Sequence, residues 1–258
     1  MSVFENPRYF EIAFQHRDIG KECDFIESVM ETFSKTDNRK ALDIYCGTGA
    51  HILELLRRGY DVDGFDCTDP MLEYVRKKLN PKFYKPRLWK DNLESFTVEG
   101  EYGLLTNMLT SFNYITTNEG VLSHLECAAK ALSYGGIYII EMNHPRDMLS
   151  DSTSAPNKWI EVRDNLEIEM DWDYKSAHLD YIDQIYNMTG KMKIREGDDE
   201  KILTSEEKIR IYLFQEMRAL ISLSGWLNLV RAFGAFHFEQ TLDGSDDSWR
   251  MILVLRKE

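Results

Sequence analysis

The sequence predicts an α/β protein with a mostly parallel seven-stranded sheet, helices on both faces and a small antiparallel sheet inserted after the fifth strand. Two observations predict it. Short apolar runs alternate with helical patterns of apolar residues over residues 41–142 and again over 215–256, which is typical of strand–helix–strand units. Between residues 159 and 214 the apolar residues instead recur at every second position, as in an antiparallel sheet with one buried face.

The first strand–helix–strand unit spans residues 41–66. A short apolar strand leads into Gly47-Thr48-Gly49, a turn whose backbone a ligand can approach without meeting a Cβ atom. An amphipathic helix follows and ends at Gly59. The second strand, residues 60–65, places Asp66 just beyond its carboxyl end, where a carboxylate can accept hydrogen bonds from both hydroxyls of a ribose. This unit predicts a nucleotide-binding site.

The glycine spacing indicates which kind of nucleotide. A dinucleotide fingerprint has a third glycine where this chain has Ile52, so a nicotinamide-dependent oxidoreductase is disfavoured. The sequence Leu-Asp-Ile-Tyr-Cys-Gly-Thr-Gly instead resembles motif I of the class I S-adenosylmethionine-dependent methyltransferases, whose Rossmann-like sheet has seven strands with the last one antiparallel. The resemblance implies that S-adenosyl-L-methionine is the cofactor. It places the glycine loop behind the methionine part, Asp66 on the ribose, and Asp43 near the ammonium.

The resemblance extends to other parts of the chain. Tyr-Phe-Glu-x-x-Phe and His-Arg-Asp look like the N-terminal arm of bacterial small-molecule methyltransferases related to nucleotide-sugar N-methyltransferases, which implies that Tyr9 and Arg17 contact the methionine end. Lys90-Asp91-Asn92 stands where the family has Gly-Asp-Met, so Asp91 carries over as an adenine ligand. The full implied cofactor set is Tyr9, Arg17, Asp43, Cys46, Gly47, Thr48, Gly49, Asp66, Cys67, Met71, Asp91, Asn92 and Met108.

The remaining elements follow from apolar periodicity and from capping residues. One helix is predicted around residues 25–33, with its apolar face formed by Phe25, Ile26, Val29, Met30 and Phe33. Three more are predicted from Asp69 to Leu79, from Thr117 to Leu132, and from Gln215 to Ser224. Strands three to seven of the main sheet are predicted at 83–89, 102–109, 137–142, 227–233 and 249–256.

The inserted sheet is predicted from the alternation that begins at Leu166. Its strands are expected at 166–174, 181–193 and 208–214, with the last two joined across the turn-rich residues 196–200. We predict a cofactor-binding core with an N-terminal arm, residues 1–150 and 215–258, and a lid over the acceptor site, residues 151–214. The acidic residues of the alternation are interpreted either as a solvated face or as an attraction for a cationic amine.

The acceptor is predicted by exclusion. The loop after the fourth strand, Thr-Ser-Phe-Asn-Tyr-Ile, has neither the Asn-Pro-Pro-Tyr of amino-methylating nucleic-acid enzymes nor a Pro-Cys nucleophile. A net charge of −13 also argues against a nucleic-acid partner. We therefore expect in-line transfer of a methyl group to a nitrogen or oxygen of a small molecule. Substrate-binding candidates are Tyr114, Asn143, His144 and Trp159, and candidate bases are Tyr114, Glu141 and His144.

Other features set the class of protein. The four cysteines are far apart, no metal site is expected, and neither a signal peptide nor a membrane span is predicted, so a reduced, cytoplasmic protein is expected. A second copy of the chain in a homodimer is one predicted partner. The alternative function is a regulatory or scaffolding protein of the same fold that binds the cofactor without turnover.

Overall fold

The computed structural model describes residues 2–149 and 157–258, so the predicted start of the lid at residue 151 lies outside the described residues. The helices are α1 (Pro7–Ala13), α2 (Ile19–Phe33), α3 (Ala50–Arg57), α4 (Asp69–Lys78), α5 (Asn118–Ala131), α6 (Pro145–Leu149) and α7 (Phe214–Ser224). The strands are β1 (Lys40–Ile44), β2 (Asp61–Asp66), β3 (Leu88–Lys90), β4 (Tyr102–Asn107), β5 (Leu132–Asn143), β6 (Lys158–Arg163), β7 (Leu166–Asp180), β8 (Ile185–Glu196), β9 (Asp199–Arg210), β10 (Leu227–Phe233) and β11 (Arg250–Lys257).

The main sheet has seven strands in the order β10-β11-β5-β4-β1-β2-β3. Strand β11 runs antiparallel to both of its neighbours, whereas the pairs from β5 to β3 are parallel. One buried cluster joins the sheet to α5 and α7, and a second joins it to α2, α3 and α4. The predicted fold class, including the antiparallel last strand and helices on both faces, is confirmed.

The first strand–helix–strand unit packs closely because of Gly64 rather than a third glycine in the loop. A Cβ atom at Gly64 would lie 2.6 Å from Cδ1 of Ile52, which is fully buried in α3. The helix therefore approaches β2 at Gly64, and Ile52 fills the space that a dinucleotide fingerprint would leave open.

A second, antiparallel sheet of four strands follows β5, in the order β6-β7-β8-β9. Its inward side chains, among them Leu166, Ile168 and Met192, share a buried cluster with Phe10 and Ile12 of α1 and with Met71 of α4. The N-terminal segment thus lies between the second sheet and the core.

Several predicted strands differ from the structure; β5 begins five residues earlier, at Leu132, and β7 extends six residues further, to Asp180. Strand β3 begins only at Leu88, because Pro81 and Pro86 flank a turn in which Phe83 is exposed. Strand β9 spans Asp199–Arg210 rather than 208–214; its outward face carries a charged run that hides the two-residue period. Strand β8 starts at Ile185 instead of 181, and β6 was not predicted at all.

Candidate functional site

A cavity of about 800 Å³ opens at the carboxyl ends of the central strands. Its walls come from the loops after β1, β2 and β4, from the N-terminal segment, and from the inward face of the second sheet. Open α/β sheets hold their ligands at this edge. Twelve of the predicted site residues line the cavity, nine from the implied cofactor set and three from the acceptor candidates.

The glycine loop and Asp66 form one corner of the cavity. Gly47 adopts a positive φ of 51°, and a Cβ atom there would meet nothing within 4 Å. Its backbone N–H donates to Oδ2 of Asp66 over 2.9 Å, while the backbone N–H and hydroxyl of Thr68 donate to Oδ1. Burial raises the pKa of Asp66, and these hydrogen bonds partly oppose the rise. The loop therefore leaves open space next to a fixed carboxyl group.

Asp43 lies beneath the same corner. Its side chain is buried, lines the cavity, and accepts a hydrogen bond of 2.8 Å from Oγ1 of Thr106. Burial raises the pKa of Asp43 to about 6. A carboxyl that is this costly to ionise is a feature of functional sites.

Arg17 joins the N-terminal segment to the core. Its guanidinium makes four hydrogen bonds, two to Glu22 and two to Glu141, over 2.7–3.0 Å. A guanidinium has five N–H donors, so one remains for a ligand in the cavity that Arg17 lines. Burial would raise the pKa of Glu22, but His51 and Arg17 lower it to about 2.

Glu141 is fully buried and does not line the cavity. It binds Arg17 and the Nε of Arg250, and it accepts the backbone N–H of Leu109 over 2.6 Å. Burial would raise the pKa of Glu141, yet Arg17 and Arg250 together lower it. This geometry favours an anchor for the loop after β4 over a catalytic base.

His144 also lies outside the cavity lining. Its Nε2 donates to the carbonyl of Asp243 over 3.0 Å, and its Nδ1 accepts the backbone N–H of Arg146 over 3.2 Å. Both ring nitrogens are thus used in fixing loops. This geometry fits a loop histidine held by backbone hydrogen bonds better than a base.

The other acceptor candidates line the cavity. Tyr114 lies in a short 3-10 helix, Ser111–Tyr114, and Asn143 ends β5. Trp159 extends from β6, and its indole donates to the carbonyl of Ala13 over 2.6 Å. These residues approach from three different parts of the chain.

Four implied cofactor residues do not line the cavity: Tyr9, Gly49, Asp91 and Asn92. Asp91 accepts the indole N–H of Trp89 over 3.1 Å and caps its own loop, and Asn92 is exposed. Gly49 serves packing, since a Cβ atom there would lie 2.8 Å from Val75. The other nine members of the set, from Arg17 to Met108, all line the cavity.

Sequence reasoning missed a group of strained residues in the lining. Tyr45, Leu109 and Thr110 have φ values of 58°, 52° and 59°, which are unusual for residues with a Cβ atom. Strain of this kind collects at functional sites. His51 was missed as well: it lines the cavity from the first turn of α3 and contacts Glu22 over 2.8 Å. Its place two residues after Gly49 was the available signal.

Neither a metal-binding cluster nor a membrane-spanning helix is found within residues 2–149 and 157–258. No group of three or more His, Cys, Asp and Glu side chains is arranged to hold a metal ion. Within the same described ranges, every helix is too short or too polar to cross a membrane. The cytoplasmic location and the homodimer stay predictions.

Comparisons with known proteins agree with this geometry. Residues 41–136 match the family model described as "Methyltransferase domain". The dTDP-3-amino-3,4,6-trideoxy-alpha-D-glucopyranose N,N-dimethyltransferase of Streptomyces venezuelae is 26% identical over 100 residues, covering 39% of this chain and 40% of the relative. This chain spans about half the length of the curated relatives it matches, or less.

The likeness to solved structures covers nearly the whole chain. An S-adenosylmethionine-dependent methyltransferase from Clostridium acetobutylicum has a TM-score of 0.78 at 20% identity, over 96% of both chains. The amino pentose methyltransferase CalS10 from Micromonospora echinaspora, solved with its cofactor bound, has a TM-score of 0.74 at 15% identity, also over 96% of both. Residues 41–136 are thus similar to a methyltransferase domain, and the part of the chain that the structure describes has the class I methyltransferase fold.

Proposed function

We propose that this chain, with its class I methyltransferase fold, is an S-adenosylmethionine-dependent methyltransferase that acts on a nitrogen of a small molecule. One observation carries the proposal: a single cavity joins the glycine loop and Asp66 to the inward face of the second sheet. A donor held at one end and an acceptor at the other would thus share one enclosed space. The second sheet then serves as the predicted lid.

The residues present fit this cofactor. The open space beside Gly47 suits the backbone approach that the methionine part needs, and the buried carboxyl of Asp66 suits a pair of ribose hydroxyls. Asp43 and the remaining N–H of Arg17 would meet the ammonium and carboxylate of the methionine end. The adenine contacts implied for Asp91 and Asn92 do not agree with the structure, because neither residue lines the cavity.

The chain's contribution to the reaction is mainly positioning. The cofactor supplies a methyl group on a positively charged sulfur, which is already activated toward attack by a lone pair. The lining residues hold the acceptor in line with that methyl group and exclude water, which can supply up to about 7–11 kcal/mol in well-oriented systems. The buried Arg17–Glu141–Arg250 cluster keeps the loop at Leu109 in its strained shape beside the reacting groups.

Nitrogen is favoured over oxygen because two of the three predicted bases, Glu141 and His144, lie outside the cavity lining. A hydroxyl acceptor needs a base to remove its proton, but Glu141 and His144 are engaged elsewhere. An amine can react from its neutral form. The relative from Streptomyces venezuelae and CalS10 are named as methyltransferases of amino sugars, which supports the same choice.

Calorimetry tests the cofactor half of the proposal. S-adenosylhomocysteine is expected to bind with a dissociation constant near the micromolar range, about −8 kcal/mol. Asp66→Asn, which keeps the side-chain shape, should weaken binding about tenfold, as the loss of a charged hydrogen-bond acceptor predicts. Asp61→Asn, at the exposed start of the same strand, is the matched control and should bind normally. Binding of NADH instead would contradict the proposal.

The transfer itself is tested with isotopically labelled cofactor and pooled small-molecule amines and alcohols. A labelled amine is the expected product. A labelled alcohol would overturn the choice of nitrogen. Cofactor binding without any labelled product across the pools would favour the alternative function, a cofactor-binding protein without turnover.

A further inference from the structure

The side of β9 that faces the protein interior carries one acidic residue, Glu207. Its alternating residues Leu203, Ser205, Glu207 and Ile209 face the protein, whereas the residues between them, Thr204, Glu206 and Lys208, are exposed. Glu207 pairs in register with Met188, a buried residue of β8, and both line the cavity. A hydrogen bond with Ser205 compensates the carboxylate only in part, since burial still raises its pKa. A carboxylate beside Met188 is therefore costly unless a ligand or a charged partner compensates it.

Glu207 has no ion pair within the described part of the chain. Several lysine and arginine side chains of the second sheet pair with other acids, as in Lys158–Glu169, Lys193–Glu200 and Arg195–Glu167. Burial raises the pKa of Glu207 above its ordinary value. Its environment thus resembles that of a functional carboxyl rather than that of the solvated acids on the outer face.

Three of the aromatic rings that line the same cavity lie close together. The ring of Phe4 lies 6.3 Å from that of Trp172 at an interplanar angle of 30°, and 6.4 Å from that of Tyr114 at 81°. The ring of Trp172 also crosses Gly190, where a Cβ atom would lie 2.3 Å from it. Gly190 therefore permits the position of Trp172 over the sheet.

We propose that Glu207 and the rings of Phe4, Tyr114 and Trp172 form the acceptor subsite, which attracts an aliphatic amine as its ammonium ion. The ammonium proton then passes to the Glu207 carboxylate, and the freed nitrogen lone pair forms the new N–C bond as the C–S bond of the cofactor breaks. A carboxylate supplies the counter-charge, and aromatic faces attract a desolvated ammonium group. The tertiary amine product would bind in the same way, because each added methyl group increases its contact with the rings. This inference rests on the proposed function and identifies its substrate class.

The test uses choline and its uncharged isostere, in which carbon replaces nitrogen, titrated calorimetrically into the protein with and without S-adenosylhomocysteine. Choline should bind about tenfold more tightly than the isostere, as expected for a desolvated cation on aromatic faces. Glu207→Gln should abolish most of that preference and leave isostere binding unchanged. Glu206→Gln, on the exposed face of the same strand, should retain it.

Trp172→Leu is a second variant that keeps an apolar side chain, and it should weaken choline more than the isostere. Equal binding of the two compounds by the wild-type protein, binding of neither, or full choline preference in Glu207→Gln would overturn the inference. S-adenosylhomocysteine binding separates the two proposals. Its absence contradicts the proposed function, whereas its presence without choline preference contradicts the subsite alone.

Discussion

At the scale of single residues, a substitution at Glu141 distinguishes a structural role for this side chain from a catalytic one. Its fully buried carboxylate forms ion pairs with two guanidinium groups, those of Arg17 and Arg250. Glu141→Gln should therefore reduce the free energy of unfolding by about 3–5 kcal/mol, because it leaves buried positive charge uncompensated. Urea denaturation measures this, with Glu126→Gln at an exposed helix pair as the control, expected to cost under about 0.5 kcal/mol. An unchanged urea midpoint would contradict the anchoring role.

Removing the charge of Asp43 should stabilise the protein, whereas removing the charge of Glu141 should destabilise it. The pKa of Asp43 is raised from 3.8 to about 6, so the folded state holds a proton that the unfolded state releases, and stability is lost as the pH rises through that window. Asp43→Asn mimics the protonated form. Its stability relative to wild type should rise between pH 3.8 and about 6 and reach a gain on the order of 1–3 kcal/mol at pH 7.

Chemical denaturation at several pH values checks this difference for Asp43, and calorimetry should show weaker S-adenosylhomocysteine binding by the same variant. A stability difference that does not change with pH would contradict the raised pKa. A stabilising change that impairs binding is the expected pattern where a buried acid serves a ligand.

At the scale of elements, the contact between α3 and β2 gives a prediction of its own. Gly64→Ala should destabilise the protein by about 1–3 kcal/mol, because the new Cβ atom overpacks against Ile52. Ile52→Val removes the clashing Cδ1 atom, so the double variant should be more stable than the sum of the two single changes predicts. Additive urea midpoints would contradict the contact. Gly244→Ala, where a Cβ atom meets nothing, is the control.

An element could be predicted when residues within it determine its structure, but not when distant contacts determine it. The unit from β1 to Asp66 was predictable because periodicity, glycine and an acid at a strand end all agree there. The strand β9 was misplaced since its charged outer face, rather than local propensity, dominates its composition. The left-handed backbone of Leu109 could not be predicted, because it depends on a hydrogen bond to Glu141, 32 residues later.

Single side chains near the acceptor were hardest to predict. In the sequence, Glu207 looks the same as the solvent-exposed acids of its strand, because only the pairing register of β9 shows that it faces inward. His144, in contrast, stood out in the sequence but fixes two loops in the structure. Residue types in the sequence were enough to predict the cofactor end of the cavity. The acceptor end could not be predicted in this way, because it depends on how the second sheet packs against the core.

At the scale of the whole molecule, α1 connects the two sheets through the cavity wall. Glu11 of α1 binds Lys78 and Tyr74 of α4, and Lys78 donates to the carbonyl of Thr48 in the glycine loop over 3.1 Å. On the other side, the indole of Trp159 donates to Ala13. A ligand held between these contacts must stabilise α1 as well as the loop, because α1 cannot leave without opening the cavity.

Hydrogen exchange monitored by mass spectrometry can measure this coupling. With S-adenosylhomocysteine at 100 times its dissociation constant, exchange in peptides from α1 should slow about 100-fold, which corresponds to about 2.7 kcal/mol, if α1 opens only after the ligand leaves. The edge strand β10, at the far end of the sheet, should exchange at an unchanged rate. Unaltered exchange in α1 while calorimetry shows bound ligand would mean that the N-terminal segment is not part of the cofactor site. Glu11→Gln should retain the fold but reduce the protection, because it weakens the link to Lys78 and hence to the glycine loop.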